Sequence, residues 1–213
     1  MHHHERRPFL KRIVKKYSKF LIDTTTQLDI ALKKYKVKCK AGCFECCVSG
    51  FFDITLLDAL HLNESIKNMP PRVRNKIIAN ANDQLDILET KGAFSRKNPL
   101  LKNLASIDSI SRRSAKMSCP ALDVDGACLI YQHRPHICRL FGPTVRGPRR
   151  IVRLEGCGYF KREIPDLDFD ILRNYESENG LLKAMYTKAG RRRIRDVDTI
   201  IPAAIALDMK KWL

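Results

Sequence analysis

Apolar residues recur every three or four positions from Phe9 to about Tyr35, at Phe9, Leu10, Ile13, Val14, Tyr17, Phe20, Leu21, Leu28, Ala31 and Leu32. That period is one face of an α-helix, and the polar run Thr24–Thr26 is where it is expected to break. The positions between are largely lysine and arginine, so the segment is a basic amphipathic helix. Packing on a core with a wet basic face explains such a helix more economically than a membrane or polyanion surface. Asp53 is the expected N-cap of a second helix, with Ile54, Leu57, Leu60 and Leu62 on its apolar side and Met69–Pro70–Pro71 ending it. A third helix follows from Arg72 to about Glu89 and closes at Lys91–Gly92. Asn98–Pro99 then opens a shorter helical segment, LLKNLASIDSI.

The middle of the chain changes texture. Asp123, Val124, Asp125 and Gly126 form a turn signal, followed by the short extended run ACLIY. A second short strand is expected between Val145 and Leu154, around Gly147–Pro148. Helix returns from Phe169 to Ala189, with Gly180 inside it, and again from Ile200 to Leu213, entered through Pro202. Strands and helices do not alternate as a Rossmann sheet or a complete barrel requires. The expected class is therefore mainly α, with a small irregular α+β metal-binding region holding two short strands. One domain is expected over 1–213. It comprises a basic helical segment (1–36), a cysteine-cluster region (37–160) with a helical insert (53–112), and C-terminal helices (161–213).

Charge adds a partner class. Of 213 residues 40 are Lys or Arg against 23 Asp or Glu, a formal charge of +17. The excess gathers in RRPFLKRIVKKYSK, in Arg146–Arg153 and in Lys188–Arg195, surfaces that attract an acidic protein, RNA or anionic lipid. The start is basic but has no secretory apolar run, and no stretch of roughly 18 apolar residues exists to span a membrane. The expected compartment is the cytoplasm, where clustered cysteines serve as ligands rather than disulfides. The histidines after Met1 are given no role.

The eight cysteines fall in two groups: Cys39, Cys43, Cys46 and Cys47, then Cys119, Cys128, Cys138 and Cys157. Soft thiolates select zinc, copper(I) or iron–sulfur clusters. Four thiols within CKAGCFECC serve no purpose in a hydrophobic core. Cys39, Cys43 and Cys46 have C-x3-C-x2-C spacing, which resembles the cluster motif of radical S-adenosylmethionine enzymes. The missing strands and the surplus cysteines count against that assignment. Taken together, CKAGCFECC, CPAL at Cys119, CLIYQHRPHICRLF from Cys128 to Phe141, and GCGYF at Cys157 resemble the YkgJ-like cysteine-cluster family of zinc- or iron-chelating proteins. The likeness runs from about Val37 to Phe160, and a related arrangement occurs in flagellin lysine N-methylases.

The resemblance implies that all eight cysteines are metal ligands, in one site or two. An iron–sulfur cluster is preferred over zinc. Cys46 and Cys47, adjacent in sequence, are expected to point apart, which favours two sites or one ligand and one neighbour. Arg134 and Arg139 are expected to donate to thiolates or sulfides, with Tyr131 and Phe141 shielding the site and Pro135 shaping the turn that presents Cys138. His133 and His136 are either mixed-site ligands or plain polar residues, and Asp123 and Asp125 shape a loop. Glu45 is a spacer. No phosphate loop, nucleophile elbow or H-E-x-x-H helix is present. The leading reading is an intracellular metal- or cluster-binding protein with a structural or redox metal. The alternatives are a cluster- or zinc-dependent protein or RNA modification enzyme acting by methyl transfer, and a metal-braced nucleic-acid-binding protein.

Overall fold

Helix α1 runs unbroken from His3 to Lys33 in the computed structural model. The expected break at Thr24–Thr26 is absent because the threonines turn their hydroxyls back onto the helix. Thr25 Oγ1 donates to Leu21 O and Thr26 Oγ1 to Ile22 O, each at 3.0 Å. The structure describes residues 3–35, 44–48, 53–101, 109–110, 112–113, 117–141, 145–146, 151–152, 170–190 and 199–212. They divide between two units, one of Met1–Lys40 and His136–Ile194, the other of Ala41–Pro135 and Arg195–Leu213.

In the first unit α1 buries Leu10, Ile13, Val14, Tyr17, Leu21, Leu28, Ala31 and Leu32, the stripe its periodicity predicts. It packs on two further helices of this unit, the short α5 (His136–Leu140) and α6 (Ile171–Lys188). Asp170 caps α6 by accepting from Arg173 N at 3.0 Å, so the helix begins two residues later than Phe169. Leu182, Met185 and Tyr186 form the buried stripe of α6. Val145–Leu154 is not one strand: Val145–Arg146 (β2) pairs antiparallel with Ile151–Val152 (β3).

The second unit is organised around α3 (Leu56–Lys67), which is buried on nearly every side from Leu56 to Asn63. The one-turn helix α2 (Glu45–Val48) precedes it. Asp53 is not its cap. Asp53–Ile54 is a short strand, β1, paired antiparallel with Thr199–Ile200 (β4), and Thr55 caps α3 by accepting from Asp58 N at 3.1 Å. Helix α4 (Pro71–Thr90) starts with proline at its first position and buries Ile77, Ala81, Leu85 and Leu88. Gly92, at φ +63°, supplies the left-handed turn that ends it. Asn98–Leu101 is turn rather than helix, 102–108 of the expected helical segment lie outside the described residues, and its end, Ser109–Ile110, is helical. The final helix, α7 (Ile201–Ala206), has Pro202 in its first turn and gives way to a 3-10 turn at Met209–Trp212, short of the single helix expected to Leu213. Leu85, Leu88, Phe94, Leu101, Ile110, Ile200 and Ala203 pack as one core. The class is mainly α with a small β component, as the periodicity indicates.

Asn63 closes this unit. Its side-chain amide donates to Ala204 O and, at 3.0 Å, to Leu207 O, while its carbonyl accepts from Met209 N at 2.9 Å. Asn63→Ala strands three backbone groups in a buried position. It should cost about 2–3 kcal/mol, seen as a lower urea midpoint with an unchanged slope.

Candidate metal centre

Cys46, Cys47, Cys119, Cys128 and Cys138 carry thiols rather than disulfides, each half-buried. The other expected ligands, Cys39, Cys43 and Cys157, lie outside the described residues. Cys138 sits on α5 in the first unit, and the other four described cysteines belong to the second.

Sequence neighbours Cys46 and Cys47 do not diverge. Cys47 N donates to Phe44 O at 2.8 Å to close the single turn of α2, and the two sulfurs come within 3.7 Å. That separation fits two ligands of one ion, since a tetrahedron with ~2.3 Å metal–sulfur bonds has an edge of about 3.8 Å. Cys119 joins them through its backbone, which donates to Cys47 O at 2.6 Å, and through a thiol hydrogen bond to Cys47. Cys128 lies near enough to act electrostatically on Cys47. Among the described residues the thiols meet in this pairwise fashion, and no three Cys, His, Asp or Glu side chains already stand around one point as a ligand set.

Helix α4 holds the strip of chain that carries Cys119. Lys76, Asn80 and Gln84 are spaced four residues apart on one face. Lys76 Nζ pairs with the Asp123 carboxylate, Asn80 Nδ2 donates to Pro120 O at 3.1 Å, and Gln84 Nε2 donates to Ser118 O at 2.7 Å. The carbonyls on either side of Cys119 are therefore anchored. Beyond them Asp123 accepts from Val124 N at 2.6 Å and Asp125 from Ala127 N at 3.0 Å, the loop-shaping role expected of them. Gly126, at φ +83°, completes the turn. ACLIY is not a strand. Cys128 makes a single bridge with Leu122, after which local bonds coil Tyr131–His133 into a 3-10 turn ahead of Pro135.

Arg134 lies with its guanidinium 3.8 Å from the Tyr131 ring centre, and its Nε donates to Tyr131 O at 3.0 Å. Its charge acts on Cys46 in the direction that favours thiolate. Arg139 belongs to the first unit, where it is buried and its Nη1 donates to Thr25 Oγ1 at 2.5 Å. His136 has both ring nitrogens engaged, by Glu178 and by Asn174, which takes it out of the ligand set in this arrangement. His133 lies half-buried with its ring 6.2 Å from that of His61. The periodicity concealed the Lys76–Asn80–Gln84 row, although its regular four-residue spacing on one helix was a usable signal.

The crowded thiols resist ionisation. The hydrogen bond to Cys47, then burial, then the neighbouring charge push Cys46 well above the ordinary thiol range, with Arg134 opposing. Cys47 is pushed up to about 12, chiefly by its hydrogen bond with Cys119, with burial and the charges of Cys119 and Cys128 adding to it and the bond to Cys46 opposing. A cation at the sulfurs reverses this by displacing protons. Zinc added at pH 7 to metal-free protein in weak buffer should therefore release at least one proton for each of Cys46 and Cys47, read by an indicator dye. Apparent affinity should fall as pH falls, tenfold per unit for every proton released, because protons and metal compete for the same thiolates.

No curated protein and no solved structure matches the chain. The sequence model of one family, described as a "Putative zinc- or iron-chelating domain", matches residues 38–158, a span that contains all eight cysteines. The chain belongs to this CxxCxxCC family.

Proposed function

We propose that this chain uses Cys46, Cys47, Cys119 and Cys128 to hold one four-coordinate metal ion, zinc by preference, in a structural role. The 3.7 Å approach of the Cys46 and Cys47 sulfurs carries the reading, because it suits two thiolates on a single tetrahedral centre. Zinc bound there would join α2 to a segment, 117–135, that has little regular structure beyond one bridge and one 3-10 turn. Metal binding then contributes directly to the stability of that segment. The proposed centre carries a net charge of minus two, and Arg134 beside Cys46 is suited to offset part of it.

The iron–sulfur reading survives in one form. A two-iron cluster also takes two thiolates on each iron, whereas a four-iron cubane takes one per iron and gains nothing from the vicinal pair. A YkgJ-like membership fits either metal. An acidic protein or RNA partner is supported by the exposed positions Lys11, Arg12, Lys15, Lys16 and Lys19 of α1. If all five meet single-stranded RNA, the log–log salt slope of binding should be about −3.5, and replacing them should abolish it; salt-independent binding overturns that partner.

Untagged protein purified without oxygen should contain stoichiometric zinc with little iron or sulfide, and no broad absorption near 400 nm. Matching iron and acid-labile sulfide would overturn zinc in favour of a cluster. Cys47→Ser and Cys119→Ser should each lose the metal. Chelation of the wild type should raise amide exchange across 117–135 while leaving α3 and α4 protected.

A further inference from the structure

A cysteine followed directly by another is a constrained pair. Neighbouring Cα atoms stand about 3.8 Å apart across a trans peptide, short of the roughly 4.4–6.8 Å over which an unstrained disulfide forms. Cys46 and Cys47 are such neighbours, and on the turn of α2 their sulfurs face each other at 3.7 Å as thiols. Both are half-buried, so a small solute can reach them. A pair placed this way resists closure onto itself but suits one bridging atom that bonds both sulfurs.

Trivalent arsenic is an atom of that kind. It is soft, as thiol sulfur is, and its bonds to sulfur are about as long as the ~2.3 Å bonds of zinc. Near-right angles at its pyramidal centre bring two sulfurs only slightly closer than this pair already stands. A third thiol follows in series. Cys119 shares a side-chain hydrogen bond with Cys47, and its amide donates to Cys47 O at 2.6 Å. Two sulfurs satisfy an arsenical that carries one organic group, and three satisfy inorganic arsenite.

The surroundings favour the organic form. Phe44 is 43% exposed and Val48 42%. Cys47 N donates to Phe44 O at 2.8 Å, so Phe44, Cys47 and Val48 follow one helical turn and share a face. An exposed aromatic ring beside a sulfur can cover an aryl or methyl substituent, which inorganic arsenite lacks.

We propose that the Cys46–Cys47 dithiol is a binding site for trivalent organoarsenicals, with Phe44 and Val48 covering the organic group and Cys119 completing the site for arsenite. The step balances without oxidant or reductant, because arsenic stays trivalent. Each thiol S–H bond breaks, each sulfur bonds arsenic, and the protons leave with the arsenic-bound oxygen as water. Phenylarsine oxide joins two thiols and releases one water; arsenous acid joins three and releases three. The proposal shares the sulfur contact with the zinc reading but does not need zinc to be the resident metal.

Phenylarsine oxide and sodium arsenite are the probes, added under argon to full-length protein stripped of metal. Native mass spectrometry counts the equivalents bound and the waters lost. In a Cys39→Ser/Cys43→Ser/Cys138→Ser/Cys157→Ser background, phenylarsine oxide should add one tight equivalent with loss of one water. A further Cys46→Ser or Cys47→Ser should abolish that equivalent, whereas Cys119→Ser should spare it and abolish tight arsenite binding. Phe44→Ala should weaken phenylarsine oxide several-fold and leave arsenite unchanged; an equal effect on both, or none, overturns the preference for an organic group. If circular dichroism shows that the background does not fold, the wild type still answers. Fragment ions of its tryptic peptide 41–67 must then carry arsenic on Cys46 and Cys47. Binding undiminished by Cys46→Ser and Cys47→Ser, or arsenic on another pair, overturns the site. Zinc retained by a protein that does not condense with phenylarsine oxide overturns this proposal alone. Condensation in a protein that retains no zinc supports it and overturns the zinc reading alone.

Discussion

Sulfur atoms held against one another cannot all become thiolates unless a cation joins them, and the second unit is built around that constraint. Cys46 and Cys47 share one turn of helix, Cys119 is bonded to Cys47 through both backbone and side chain, and Cys128 stands close behind. Left to themselves Cys46 and Cys47 hold their protons. The surrounding chain does little to relieve them: Arg134 is the cation that favours a thiolate at Cys46, and it is already stacked on Tyr131. In the proposed centre, stability and metal affinity are two readings of one equilibrium, because protonation takes the same thiolates away from the metal.

The two units satisfy their buried polar groups differently. In the second, a single amide at Asn63 serves three backbone groups where α7 gives way to the last 3-10 turn. In the first, a carboxylate and an imidazole are buried together and joined through a phenol, an amide and a hydroxyl on neighbouring helices. Asn63 closes the turn after α7 and can be understood as packing. The His136 network costs more in desolvation than apolar packing would, and its directional bonds fix how the helices of the first unit meet.

Helices were the most legible part of the sequence, because their apolar stripes repeat: α1, α4 and α6 follow the spacings of Leu10–Leu32, Ile77–Leu88 and Leu182–Tyr186. What the pattern missed came from competition between local and distant partners. Asp53 has the chemistry of a cap, yet pairing with Ile200 draws it into a strand and leaves Thr55 to cap α3. The threonines of α1 look like a break but bond back into their own helix. ACLIY has strand composition and no strand beside it beyond one bridge among the described residues. For the candidate site, the sulfur separation and the supporting row of α4 depend on helix geometry that spacing alone does not supply. Glu178 could have been noticed as a carboxylate at a core position of an otherwise apolar stripe.

The contact between Cys47 O and the Cys119 amide also sets an order of events during synthesis. Everything from β1 to the end of α4 lies between these two residues, and α4 must be in place to carry the strip that bears Cys119. At about 5–20 residues per second, the first cysteine group waits several seconds on the nascent chain for its partners. During that interval Cys46 and Cys47 are a bare vicinal dithiol, open to oxidation or to the wrong soft metal. The quality of the proposed centre would then depend on what the newborn chain meets first.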